Sequence, residues 1–355
     1  MRTKRGDWPR SAFTVSLPTA RRWCEGHLPE DARSFESRPR RRPSTIQNKY
    51  NLLNVKVILN PYANRWGAQA QAPAVRAAFA QAGVDCDLAL TTAPREATRE
   101  AFLAAQNGYD VVVAAGGDGT VSEVVNGLIQ AAGDGPTCPL GIMPIGTGND
   151  FNDMAGLPRD LASSARVVAA GHTRQVDAGR VNDRYFHNNC ALAMEPLVTI
   201  ENTKIQRLSG NTRYVAALVR GLLKLQAWEM QISWDEGEHH GPMFLLSVCN
   251  SPRTGGLFYM SPTAQLDDGL FDVVLAPEMP KWQVLRILPG LFKGTHLNHP
   301  LVHRHRTRRL TIHSRPGTPI HADGEVISES ETTVTYEVLP GKITLLAPNS
   351  TTSPR

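Results

Sequence analysis

From Val55 onward, short apolar runs alternate with longer stretches in which apolar residues recur every three or four positions. The runs VKVILNP, VDCDLAL, DVVVAA and LGIMPI have the length and composition of buried strands. QAPAVRAAFAQAG, PREATREAFLAAQNG, VSEVVNGLIQAAG and PRDLASSARVVAAG read as the helices that follow each of them. Strands alternating with helices predict a parallel sheet covered on both faces, an α/β domain over residues 51–172.

After Gly171 the rhythm changes. RQVDAGRVNDRYFHN predicts a hairpin turning at Asn182–Asp183, and YVAALVRGLLKLQAW a helix. Six strand-like runs follow, from EMQISW to KITLLAP, interrupted by the helical pattern of KWQVLRILPGLF. This is a β-rich second domain, a sandwich over residues 173–348, with a tail at 349–355. The last strands fit either domain by pattern alone.

The formal charge of +5 is unevenly placed: residues 1–50 hold twelve Lys/Arg and five Asp/Glu, leaving a net −2 for the other 305 residues. A nearly neutral body counts against a broad basic face, so no nucleic-acid partner is expected. The excess lies in RTKRGDWPR and SRPRRRPST, which lack apolar periodicity, so residues 1–50 read as a disordered basic arm. No run of eighteen apolar residues occurs, and no transmembrane helix is expected. Five cysteines lie far apart without C-x-x-C, as free thiols in a reducing cytoplasm would.

Two glycine loops carry the candidate chemistry. In VVVAAGGDGTVSE a capping box, Thr120 with Glu123, predicts that a helix begins at Thr120. Free N–H groups there can hold phosphate, yet Asp118 stands among them. It either bonds its own turn, or serves a cation or a proton beside the phosphate. PIGTGNDF follows the next strand and should open at the same sheet edge, offering Gly146, Thr147, Gly148, Asn149 and Asp150. Neither loop is a common phosphate fingerprint. There is no Walker lysine, and the sixth residue from Gly117 is Ser122 and from Gly146 is Phe151.

ILNP, GGDGTVSEVVNG, PIGTGNDF, SPTAQLDDGLFDVVL and HADGE, in that order over residues 55–348, resemble the motifs of the diacylglycerol kinase catalytic-domain family, which includes sphingosine and bacterial lipid kinases. The resemblance implies a Rossmann-like domain of the type shared with NAD kinases, a β-sandwich, and ATP bound in the cleft between them. It implies ATP-dependent phosphorylation of a lipid hydroxyl, with Mg²⁺ on the nucleotide. Asp323, the expected general base, Glu325 and Asp118 match the family's carboxylates, Asp118 also at the metal. Asn60, Gly116, Gly117, Gly119, Thr120, Glu123, Gly146, Thr147 and Asn149 match positions around the nucleotide. Lys204, Arg207 and Arg213 fall where relatives supply cations, although an amphipathic surface loop accounts for them equally. Asp267 and Asp268, with Asp272, resemble a structural Mg²⁺ segment whose other reading is a turn.

One departure concerns the acceptor. Where the family has G-x-G-x-[DE], this chain has ALAME, leaving Glu195 as the acidic substrate contact without the glycines. The resemblance further implies a cytoplasmic enzyme that visits the membrane surface, and it is compatible with a homodimer. Arg304, Arg306, Arg308 and Arg309 with Leu301 and Val302 are the expected contact, and the neighbouring histidines read as part of this basic edge. The rival readings are an NAD kinase-like small-molecule kinase, which would share GGDGT but not the later segments, and a non-catalytic nucleotide- or lipid-binding regulator. Asp118 and Asp323 both fall in loops, so asparagine at either is expected to leave the melting temperature nearly unchanged.

Overall fold

The computed structural model of the chain describes residues 53–63, 67–205, 208 and 210–349. The basic arm, Arg207 and the end of the tail lie outside the described residues.

The first half is a parallel sheet of β1 (Val55–Leu59), β2 (Cys86–Leu90), β3 (Val111–Gly116) and β4 (Leu140–Pro144), in the order β2-β1-β3-β4. Because successive strand residues point to opposite faces, Val112 and Ala114 enter one core and Val111, Val113 and Ala115 the other. Helices α1 (Ala72–Gln81) and α5 (Leu161–Ala170) cover one face. Helices α2 (Glu96–Gln106) and α3 (Asp118–Ala132) cover the other, and a short α4 (Asp150–Met154) lies between β4 and α5. All four expected strands and helices form.

The second half contains β5 (Thr173–Val181), β6 (Arg184–Phe186), β7 (Asn189–Ala193), β8 (Trp228–Trp234), β9 (Gly237–Cys249), β10 (Phe271–Pro277), β11 (His303–Thr307), β12 (Arg309–Ala322) and β13 (Glu325–Leu346). Its helices are α6 (Met194–Lys204), α7 (Gly210–Leu223) and α8 (Lys281–Leu291). Pairing is antiparallel throughout this half, and β12 and β9 each pair with both β7 and β8, so the strands close around Phe186, Leu192, Met230, Phe271 and Ile312.

TTVTYEVL and KITLLAP, which read as two strands, form the single strand β13, with a register shift between Leu339 and Ile343. Before the shift Val334, Tyr336 and Val338 fill the second core; after it Ile343 and Leu345 fill the first, where Leu345 pairs parallel with Leu140 of β4. One sheet therefore runs through both halves. Its last strand belongs to both cores, which is why its pattern fits either.

One local expectation is corrected. Helix α3 begins at Asp118, not Thr120, with Gly117 as its cap and no side-chain capping bond. The Glu123 carboxylate instead accepts from Ala97 N at 3.1 Å, capping α2. On the expected basic edge Arg304, Arg306, Arg308 and Arg309 are all exposed; Arg304 lies 3.5 Å from Asp272, Arg306 pairs with Asp268, and Arg309 lies 3.5 Å from Glu337. Val302 is buried there.

Candidate active site

The glycine loops at the ends of β3 and β4 pack backbone to backbone. Ile145 N and Gly146 N donate to Gly116 O at 3.0 and 3.1 Å, and Asp118 N donates to Gly148 O at 3.2 Å. A Cβ on Gly146 would stand 2.2 Å from Gly117 Cα, so only glycine permits this approach. At Gly116 a Cβ would instead meet the Thr120 side chain, whose hydroxyl accepts from Asn60 Nδ2 at 3.2 Å. Gly119 differs: it is exposed, a Cβ there would meet open space, and at the second position of α3 its N–H has no intrahelical acceptor. Asn149 Nδ2 is used within its own loop, on Gly146 O at 2.9 Å.

Three carboxylates meet beside these loops in different electrostatic settings. Asp118 accepts from Asp150 N at 3.0 Å and Phe151 N at 3.3 Å, the first N–H groups of α4. Burial, and then the charge of Asp150, push its carboxyl above the ordinary range despite those donors. Asp323, in the β12–β13 turn at φ +48°, is enclosed, with 1% of its side chain exposed. It accepts from Ser122 Oγ at 3.0 Å and from the backbone N–H of His187, Asn188 and Asn189 at 3.1, 2.9 and 3.2 Å. His187 Nδ1 lies 2.8 Å from the same carboxylate. Burial alone would raise the Asp323 pKa, but attraction to His187 and the N–H donors outweigh it and hold the carboxyl below the ordinary range. Glu325 is 48% exposed and takes Arg184 Nη2 at 3.1 Å.

These groups line a cleft with two lobes. The inner lobe, about 490 Å³, is bounded by Asn60, both glycine loops, Glu123 and the Asp323–Glu325 turn. Four carboxylates line it (Asp118, Glu123, Asp323, Glu325), and none of its described lining residues is a lysine or arginine. The outer lobe, about 400 Å³, is bounded by Asn189, Glu195, Arg213, Tyr214, Thr254 and His321. Asp118, Thr147, Gly148, Asp323 and Gly324 belong to both, so they form the common wall.

In the outer lobe Glu195 Oε2 accepts from Asn189 Nδ2 at 3.0 Å and lies 3.6 Å from His321 Nε2, while its Oε1 is buried without a hydrogen-bond partner among the described residues. Ala193 occupies the second expected glycine position with φ +68° and ψ −110°, a conformation that favours glycine. The turn thus keeps a glycine-type geometry although the glycine is gone. Arg213 is spent on Asn202 O, at 2.9 and 2.6 Å, and Lys204 on Glu201 at 3.1 Å.

Arg253, in the loop after β9, was not singled out from the sequence. Its guanidinium joins Asp150, at 2.6 Å, to Asp153, while Gly256 N donates to Asp150 at 2.7 Å, so the second half clamps α4 and with it the second glycine loop. A lone arginine in SPRTGG carries no periodic signal. In the LDDGLFD segment Asp268 accepts from Leu270 N at 3.1 Å and pairs with Arg306, and Asp272 is buried beside Arg304. Among the described residues no three His, Cys, Asp or Glu side chains form a group that could hold a metal.

The two-part fold that carries this cleft is similar to that of known proteins. Residues 54–181 match the diacylglycerol kinase catalytic domain, and residues 193–347 match the YegS C-terminal NAD kinase beta sandwich-like domain. The chain is 32% identical over 274 residues to a diacylglycerol kinase of Staphylococcus saprophyticus, spanning 76% of this chain and 88% of that one. A diacylglycerol kinase of Staphylococcus haemolyticus is 31% identical, over 76% of this chain and 81% of its own length. The fold is that of a putative diacylglycerol kinase from Bacillus anthracis, with a TM-score of 0.70 at 23% identity over 84% of this chain and 99% of the other. The chain belongs to the diacylglycerol kinase catalytic-domain family.

Proposed function

We propose that the protein transfers the γ-phosphoryl group of ATP to the hydroxyl of a lipid, diacylglycerol or a related alcohol. The observation that supports this most directly is the pair of lobes meeting at Asp118: one is lined by glycine loops suited to a nucleotide, the other by an incompletely satisfied carboxylate. The triphosphate lies in the inner lobe on the Gly117–Thr120 backbone, with Thr147 and Gly148 beside the transferred group. Phosphoryl transfer of this kind depends on positioning and on neutralising charge at the phosphate oxygens.

A lobe with four carboxylates and no cationic side chain among its described lining would repel a bare polyphosphate, so the donor set fits a metal–nucleotide complex. Glu325, with Glu123 beside it, would hold Mg²⁺, which supplies positive charge to the phosphate oxygens when bound. Asp118 accepts the acceptor's proton, because it stands on the common wall and its raised pKa suits a base. Asp323, expected from its sequence position to be that base, is assigned the role of holding the wall, since its donors already surround it.

Glu195, which lines the outer lobe, receives an acceptor hydroxyl. Glu195→Gln is expected to raise KM for the acceptor roughly tenfold or more, the worth of a charge-assisted hydrogen bond, and to leave KM for ATP unchanged. The reading itself is tested by incubating the protein with labelled ATP, Mg²⁺ and a total lipid extract, and identifying the labelled product. Label in NAD and in no lipid would replace it with the small-molecule kinase reading. Transfer to neither acceptor would favour a regulator without activity.

A further inference from the structure

Helices α7 and α8 present apolar side chains to solvent. On α7, Val215, Val219 and Leu223 are 47, 52 and 77% exposed and recur every fourth residue, on one face. On α8, Trp282, Leu285 and Phe292 at its end are 60, 60 and 46% exposed. Single exposed apolar side chains are ordinary; six on two adjoining helices are not. The helices are neighbours: Phe258 packs on Tyr214 of α7, ring centroids 5.5 Å apart, and on Phe292, 5.0 Å apart. Tyr214 and its neighbour Arg213 line the outer lobe, so α7 carries the lobe on one side and the apolar stripe on another.

The charged residues of the two helices have one sign. Residues 210–224 contain Arg213, Arg220 and Lys224, and residues 281–293 contain Lys281, Arg286 and Lys293, with no Asp or Glu in either stretch. Lys224 and Arg213 are used by Glu201 and Asn202, leaving Arg220, Lys281, Arg286 and Lys293 exposed. We infer that this face docks the protein on an anionic lipid bilayer, the apolar stripe entering the interface and the cations meeting lipid phosphates. A second copy is a poorer partner, because an isologous pairing would set the same cation-rich patch against itself. The bilayer contact thus moves from the salt-bridged β11 edge to the helices beside the outer lobe. The inference rests on the lipid-kinase reading for why the protein visits a membrane, but not for the face itself.

Sedimentation of the full chain with phosphatidylcholine–phosphatidylglycerol vesicles tests it. The wild-type protein should bind, less so at high salt. Leu223→Ser, Trp282→Ser and Leu285→Ser should each weaken binding roughly tenfold, from the apolar area withdrawn from the interface. These side chains are more than half exposed, so melting temperatures should stay at the wild-type value. The double variant Arg286→Glu/Lys293→Glu should weaken binding at low salt only. Activity is measured in parallel on a short-chain, water-soluble diol without vesicles, and should be unchanged in every variant. Vesicle binding by the variants equal to wild type would overturn the inference. So would a concentration-dependent dimer that the same substitutions abolish, which gives the face to a second copy. Vesicle binding lost as expected, with no phosphorylation of any acceptor, would leave the docking face standing and remove the kinase reading.

Discussion

Asp118→Asn is expected to lower turnover by ~10²–10⁴-fold, the usual contribution of a positioned base, while Mg²⁺-dependent nucleotide binding stays close to wild type. The asymmetry follows from the division of labour in the inner lobe. On the proposed reading Glu123 and Glu325, which line the same lobe, would still hold the metal, and the glycine loops proposed to hold phosphate are untouched. The fold should tolerate the change: burial and Asp150 already disfavour the charged carboxylate, and the amide oxygen can still accept one of the two α4 N–H bonds. A loss of about 1 kcal/mol, as for a lost helix cap, is the expected scale. In the wild-type enzyme the rate should fall with acid as Asp118 gains a proton, at a pH above the ordinary carboxylate range, and this limb should vanish in the variant. Nucleotide titration at several Mg²⁺ concentrations, beside steady-state rates against pH, decides the matter. If Asp118→Asn instead loses metal-dependent binding, the carboxylate is a metal ligand and another group takes the proton.

Much of this arrangement could be read in advance, and the limits have physical causes. The β1–β4 strands and their helices were legible because period two and period 3.6 are set by burial on a sheet face, which composition reports directly. Gly117 and Gly146 stood out in the sequence as loop glycines, and the structure gives them a duty that the sequence did not suggest, the close contact of two loops. What could not be read were partners fixed only by tertiary contact. Thr120 and Glu123 have the spacing of a capping box, but Glu123 is nearer the open end of α2 and satisfies it instead. The stretch MEPLVTIENTK has almost no one-sided apolar pattern, and α6 is held by its neighbours β7 and α7. Arg253 is visible only once α4 stands opposite it.

Asp323 was the least legible residue of the site, because a carboxylate in a D-G-E turn looks open and is in fact enclosed. Asp323→Asn is therefore expected to destabilise the protein by roughly 3–5 kcal/mol, the cost of breaking a buried charged network. The reason is one of counting. The carboxylate offers two acceptor oxygens to four donors and His187 Nδ1, whereas an amide keeps one oxygen and turns an NH₂ group toward N–H groups already pointing at it. Backbone strain does not confuse the test, since asparagine accepts the left-handed φ of this position as readily as aspartate. The melting temperature should fall by roughly ten degrees, at a few degrees per kcal/mol for a body of this size. The pH dependence has a definite sign. A carboxyl held below its ordinary value stabilises the fold above about pH 4, near the unfolded aspartate value, and that contribution is lost as the pH falls through the folded value. The variant should lack this acid-sensitive part of the melting profile, and Ser122→Ala, which removes one donor, should cost only about 1 kcal/mol. Were Asp323→Asn to melt like wild type and lose only turnover, the enclosed carboxylate would be the base after all, and Asp118 would have to give up that role.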